Sequence, residues 1–141
     1  MNNGKVLVVD DTKVNLRIAE IFLNDYGLEV DCAGSGQEAI LCIINKKAEY
    51  DIVFMDYMME EFNGIQTVKK IRNEIGIEYA QRVPIIAYTD KINEENIKKF
   101  LANGFNDFLE KPIKKENLDK ILKKWIGEKI GFNPAGCGGG L

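Results

Sequence analysis

Asp10 and Asp11 follow the apolar run Val6-Leu7-Val8-Val9, and Asp56 follows Ile52-Val53-Phe54-Met55. Short runs rich in β-branched residues read as buried strands. Carboxylates at the ends of two buried parallel strands would meet at one edge of the sheet. Crowded carboxylates repel one another, so such a cluster calls for a cation. Hard oxygen donors with few others nearby suit Mg²⁺, which keeps waters and takes phosphate as a co-ligand. Thr89 ends the run Pro84-Ile85-Ile86-Ala87-Tyr88, and Lys111 follows Phe108-Leu109-Glu110 and precedes Pro112. The expected site therefore holds three carboxylates, one hydroxyl and one ammonium, each at a strand end.

Composition narrows the chemistry further. The chain has 141 residues and no histidine. The commonest general base and transition-metal ligand are absent, and any phosphohistidine donor must sit on another molecule or domain. Cys32, Cys42 and Cys137 have neither zinc-site spacing nor an even count, so no disulfide framework is expected. A net charge of -3 argues against a nucleic-acid partner. Lys114, Lys115, Lys120, Lys123 and Lys124 read as the solvated face of a helix, because acids and apolar positions interrupt them. No apolar run approaches the ~20 residues that span a bilayer, and Met1-Asn2-Asn3-Gly4-Lys5 is no signal core. The expectation is a cytoplasmic chain with no membrane insertion.

Strand-like and helix-like stretches alternate along the sequence. Val14, Ile18, Ile21 and Phe22 have helical spacing, with Gly27 as the stop. Leu28 to Ala33 reads as a strand, and Ser35 as the N-cap of a helix carrying Ala39, Ile40, Ile43 and Ile44. Gly64 opens a helix with Ile65, Val68, Ile71 and Ile75; Ile97, Phe100 and Leu101 mark another, stopped by Gly104. Phe108-Leu109 is a short fifth strand, and Leu118, Ile121, Leu122, Trp125 and Ile126 stripe the last helix. Five strands alternating with five helices imply an α/β fold, a parallel sheet doubly wound with helices on both faces. Ligands bind such sheets beyond the strand carboxyl ends. The domain is expected over residues 1–127. The glycine-rich stretch 128–141 reads as a linker, a loosely docked extension or an artificial remnant.

Taken together, Val8-Val9-Asp10-Asp11, Met55-Asp56, Asn63-Gly64, Pro84 to Thr89 and Asn106 to Pro112 resemble the receiver domain of two-component response regulators. The resemblance covers residues 4 to 127 and implies the flavodoxin-like strand order 2-1-3-4-5. It also implies site roles. Asp56 is the phospho-acceptor. Asp11, Asp56 and the Met58 backbone carbonyl hold Mg²⁺ directly, and Asp10 holds it through water. Thr89 and Lys111 contact the phosphoryl group, and Thr89 and Phe108 form the switch. The implied donor is a histidine kinase or a histidine phosphotransfer domain. The implied output is a partner-binding surface on the fourth helix, fifth strand and fifth helix. Such a chain is a phosphorelay signalling module rather than an enzyme.

Three positions depart from the family pattern. Glu60 and Glu61 occupy the loop after Asp56 where a proline is usual. Asp90 follows Thr89 where a small residue is usual. Met58 is apolar where a polar side chain is common, which implies a long-lived phosphorylated form. Two other readings compete. A degenerate receiver would not keep Asp10, Asp11, Asp56, Thr89 and Lys111 together, and an aspartyl phosphohydrolase would carry an aspartate at position 58. Val9 to Leu16 looks most like receivers attached to hybrid histidine kinases, with a stand-alone receiver as the alternative. With no DNA-binding segment after residue 127, the chain by itself is not read as a transcription factor.

Overall fold

The computed structural model describes residues 4–45, 49–57, 64–90 and 92–128. Five strands alternate with five helices: β1 (Lys5–Val9), α1 (Lys13–Asn24), β2 (Glu29–Ala33), α2 (Gly36–Ile44), β3 (Ile52–Asp56), α3 (Gly64–Asn73), β4 (Ile85–Thr89), α4 (Glu94–Ala102), β5 (Asp107–Glu110) and α5 (Lys115–Ile126). A 3₁₀ turn over Tyr79–Gln81 precedes β4. All strand pairs are parallel and the order is β2-β1-β3-β4-β5, as expected. Among the described residues no helix is long and apolar enough to cross a membrane.

Both faces of the central strands are covered, which explains why β1 and β3 are continuously apolar rather than alternating. Val6 and Val8 point to one side and pack with Ala19 and Leu23 of α1 and Leu118 and Leu122 of α5. Leu7 and Val9 point to the other and pack with Ala39 and Ile43 of α2, Val68 and Ile71 of α3, and Phe100 of α4. Val6 to Val9 are fully buried. Burying each such side chain is worth about 1.5–3 kcal/mol relative to exposure, so the strands that carry the acidic residues are the most firmly anchored part of the chain.

Helix ends follow local rules. Gly27 and Gly104 adopt φ values of 76° and 98° just past α1 and α4, where a side chain would be strained. Ser35 caps α2 by accepting from the Glu38 amide at 3.1 Å, and the Glu38 carboxylate accepts from the Gly34 amide at 2.8 Å. Asn93 caps α4 in the same manner, accepting from the Asn96 amide at 2.8 Å; the apolar stripe alone did not reveal this start. Strand bounds differ by one residue from expectation. Pro84 has no N–H to give the ladder, and β4 runs from Ile85 to Thr89. Likewise β3 includes Asp56. Asp56 and Thr89 are therefore the last residues of their strands, held by ladder geometry, and not loop residues beyond them.

One half-buried polar clamp joins elements that the sequence pattern treats separately. The Arg72 guanidinium donates from Nε and Nη2 to the Gly104 carbonyl at 3.0 and 2.8 Å, from Nη1 to the Ala80 carbonyl at 3.1 Å, and from Nη2 to Asn106 Oδ1 at 2.7 Å. Asn106 Oδ1 also accepts from the Ile85 amide at 2.8 Å. The end of α3 is thus tied to the 3₁₀ turn, the start of β4 and the turn into β5. Burial lowers the Arg72 pKa from its ordinary value, so the bonds must offset a desolvation cost. Arg72→Met keeps the stem and strands these acceptors, each costing about 1–3 kcal/mol if unsatisfied. Unfolding in urea should show a loss of about 2–4 kcal/mol, since water can reach some of the acceptors. A loss too small to resolve would mean the clamp is not a structural tie.

Candidate functional site

The acidic residues converge because β1 and β3 are neighbours and parallel, with Val9 opposite Met55. The strand order reverses direction here, since β2 lies on one side of β1 and β3 on the other. That is the switch point where doubly wound sheets bind ligands. Asp10 leaves β1 fully buried, its amide donating to the Ala33 carbonyl at 3.1 Å. The Thr12 amide donates to Asp10 Oδ1 at 2.9 Å, a local turn that fixes the carboxylate. Asp11 is exposed at the mouth, and Asp56 is 4% exposed. One carboxylate oxygen from each of Asp10, Asp11 and Asp56 lies within 4.8 Å of the other two.

Lys111 supplies the opposing charge. Its amide donates to the Thr89 carbonyl at 2.9 Å, which sets the end of β5 against the end of β4, and a cis peptide bond to Pro112 follows it. Its Nζ donates to Asp10 Oδ2 at 2.7 Å and lies 3.6 Å from Asp56 Oδ2. The first contact is a charge-assisted hydrogen bond; the second is an ion pair beyond direct bonding distance. One ammonium thus faces two buried carboxylates, with a third at the rim. Oxygen donors alone, clustered within a few ångströms and short of positive charge, suit a hard divalent cation such as Mg²⁺.

Thr89 is 1% exposed at the end of β4. Phe108 is half-buried and packs with the cluster under α2, α3 and α4. Asp90 is exposed just beyond Thr89. Asp10, Asp11, Asp56, Thr89 and Lys111 all lie at the carboxyl edge, as the sequence suggested. Met58, Glu60, Glu61, Asn63 and Lys91 lie outside the described residues, and so does the stretch from residue 129 with Cys137.

Three contacts escaped sequence reasoning, although their residues stand in the motifs already named. Tyr88 is buried with its ring centroid 4.6 Å from Lys111 Nζ. Burial first, then the charges of Asp10 and Asp56, raise its phenol pKa well above the ordinary value, so it stays neutral. Only the alternation along β4 hinted that Tyr88 turns away from Thr89. Asp107 accepts from the Trp125 indole N–H at 2.9 Å and ties β5 to the end of α5. Gly64 donates its amide to the Tyr57 carbonyl at 3.1 Å.

The carboxylates and the lysine thus form a charged site at the switch point, where doubly wound α/β proteins bind ligands. The response regulator receiver domain profile matches residues 6–123, and the chain belongs to that family. It is 38% identical over 123 residues to hybrid signal transduction histidine kinase L of Dictyostelium discoideum, covering 86% of this chain and 7% of that kinase. It is 40% identical over 118 residues to two-component response regulator 24 of Arabidopsis thaliana, covering 84% of this chain and 81% of that protein. The receiver domain of sensor histidine kinase PA1611 from Pseudomonas aeruginosa PAO1 superposes with a TM-score of 0.75 at 31% identity, covering 88% and 98% of the two chains. That structure has a magnesium ion coordinated in its active-site cleft.

Gly64 sits where a Cβ would lie 2.4 Å from the Asp56 carbonyl oxygen and 3.0 Å from Tyr57 Cα. Both are backbone atoms of the strand end that presents Asp56, and neither can swing aside. Gly64→Ala should therefore cost about 1–3 kcal/mol of stability and shift the amide resonances of Asp56 and Tyr57. Wild-type stability with unmoved resonances would show that the close approach is relaxed in solution.

Proposed function

We infer that Asp56 accepts a phosphoryl group from a phosphohistidine of another protein or domain, assisted by Mg²⁺, and that the phosphorylated state alters a partner-binding surface. The observation that carries this reading is the placement of the nearly buried Asp56 carboxylate within the acidic cluster, with the Lys111 ammonium at 3.6 Å. The family membership supports it.

Asp11 and Asp56 would hold Mg²⁺ directly, with Asp10 acting through water and the Met58 carbonyl as a further oxygen donor. Bound there, the ion would offset negative charge on the transferring group's oxygens. A carboxylate oxygen of Asp56 attacks the phosphorus, and the phosphorus–nitrogen bond to the donor imidazole breaks. With the other ring nitrogen of the donor protonated, the bonding pair returns to the departing nitrogen, leaving a neutral donor histidine and an acyl phosphate on Asp56. Lys111 sits beside both buried carboxylates and can follow the charge from carboxylate to phosphoryl oxygen. Thr89 offers a hydroxyl at the neighbouring strand end, and Phe108 completes the switch on β5. The receiver family implies a histidine kinase or histidine phosphotransfer domain as donor, and its histidine lies outside this chain, which has none.

The same reading covers the setting. Residues 1–127 act as the receiver and 128–141 as a tail or linker. Cys32 and Cys42 are free thiols, in keeping with a cytoplasmic environment. Val9 to Leu16 favours a parent hybrid histidine kinase, with a stand-alone regulator as the second architecture. The apolar Met58 leaves water without a hydrogen-bonding neighbour at that position, which favours a slowly hydrolysed phosphoryl group.

Incubation with acetyl phosphate and Mg²⁺ should add one phosphoryl mass. Asp56→Asn should abolish the addition, and Asp11→Ala should weaken Mg²⁺ binding and slow labelling. Comparable base-labile label on Asp56→Asn would overturn the acceptor assignment.

The switch has its own measurement. Hydrogen exchange with and without a beryllofluoride mimic should change over residues 89–115, where β4, α4 and β5 meet. A difference of a few kcal/mol between two states is enough to reverse their populations. Changes restricted to Asp10, Asp11 and the segment after Asp56 would exclude a transmitted switch.

A further inference from the structure

We propose that Tyr88 is a positioning residue for the site, its ring face holding the Lys111 ammonium between Asp10 and Asp56. The proposal rests on the phosphoryl-acceptor reading and adds a residue that the acidic motifs do not include. Tyr88 is 2% exposed and lies on the α1 and α5 side of the sheet, with Phe54, Leu109, Ile113 and Leu118 around it. Thr89, the next residue, turns the other way, so adjacent residues of β4 serve the same site from opposite sides of the strand. The Lys111 side chain is 15% exposed, with its Nζ 4.6 Å from the Tyr88 ring centroid, 2.7 Å from Asp10 and 3.6 Å from Asp56.

The physical need is clear. A lysine carries a flexible four-carbon stem, and its ammonium can satisfy one carboxylate by leaving another. The closer contact with Asp10 would by itself draw Nζ away from Asp56. An aromatic face attracts a cation within about 6 Å of its centroid, and more strongly where water is excluded. The ring therefore gives the ammonium a third partner that takes up neither carboxylate's hydrogen bond. It confines Nζ to a place from which it reaches both acids. An aliphatic residue of similar size would fill the same space without that attraction.

Three variants separate this role from packing. Tyr88→Leu removes the ring, Tyr88→Phe keeps it, and Tyr88→Phe with a fully fluorinated ring keeps the shape but removes the negative face. Acetyl phosphate labelling with Mg²⁺ should slow about tenfold in Tyr88→Leu and in the fluorinated variant, and stay within about twofold of wild type in Tyr88→Phe. In a Lys111→Met background the same changes should have no further effect, because the partner of the ring is gone. Independently of any phosphoryl transfer, the Lys111 side-chain ammonium should give a slowly exchanging ¹⁵N signal in wild type and Tyr88→Phe, lost in the other two. If Tyr88→Leu fails to fold, the fluorinated ring decides the matter alone. Equal labelling by the plain and fluorinated rings, additive losses with Lys111→Met, or an unchanged ammonium signal would each overturn the proposal. If wild-type protein takes no label at all, the acceptor reading falls, and the ammonium signals alone decide for or against Tyr88.

Discussion

Two buried carboxylates, a third at the rim and one ammonium share the carboxyl edge of this sheet, and the rest of the fold is arranged to hold them there. Like charges repel strongly where water is scarce. Asp10 is fully buried and Asp56 nearly so, a placement that would push apart any loosely built site. It persists because each acid leaves a strand whose apolar residues are buried on both faces. The core fixes the backbone, the backbone fixes the carboxylates, and Lys111 offsets part of their repulsion. The three carboxylates against one ammonium leave the cluster short of positive charge, the property that suits it to a hard cation.

Lys111 is also where two parts of the molecule meet. Its side chain reaches the acids of β1 and β3, while its backbone amide is bonded to the Thr89 carbonyl at the end of β4. Residues of β5 on either side of the strand face different surroundings: Leu109 is buried under α1 and α5, and Phe108 is half-buried against the opposite cluster. β5 is a four-residue edge strand, with a ladder on one side only. Such a strand can shift at lower cost than the central three. Through Lys111, the charge at Asp56 is thus coupled to one of the two edge strands of the sheet.

Much of this was legible in the sequence, for a definite reason. The central strands β1, β3 and β4 carry uninterrupted apolar runs, and five strands separated by helical stripes admit few arrangements. Polar residues at the ends of such runs must then lie at one edge, which is why Asp10, Asp11, Asp56, Thr89 and Lys111 could be grouped from the sequence alone. Helix stops were equally visible where a single residue type is required, as at Gly27 and Gly104. What stayed hidden depends on contacts between distant segments. Arg72 belongs to no motif the sequence offers, yet it is bonded to carbonyls 8 and 32 residues away. Asn106 stood inside a recognised motif without its role, because its single oxygen serves two donors on different elements. Tyr88 reads as core, which it is; that its ring also faces a lysine follows only from the register of β4 beside β5.

Those hidden contacts have a common direction. Arg72 and Asn106 fix the start of β4 and the entry to β5, at the end of the sheet opposite the acids. Asp107 fixes the beginning of β5 to Trp125 of α5. The amino ends of β4 and β5 are thereby held by buried or half-buried polar bonds, whereas their carboxyl ends, with Thr89 and Lys111, meet the charged site. The polar ties and the charged site therefore lie at opposite ends of the same two strands. The ties keep the two hydrophobic layers in register at the amino ends, and at the carboxyl ends the ladder itself does so, with Thr89 paired to Glu110 across β4 and β5.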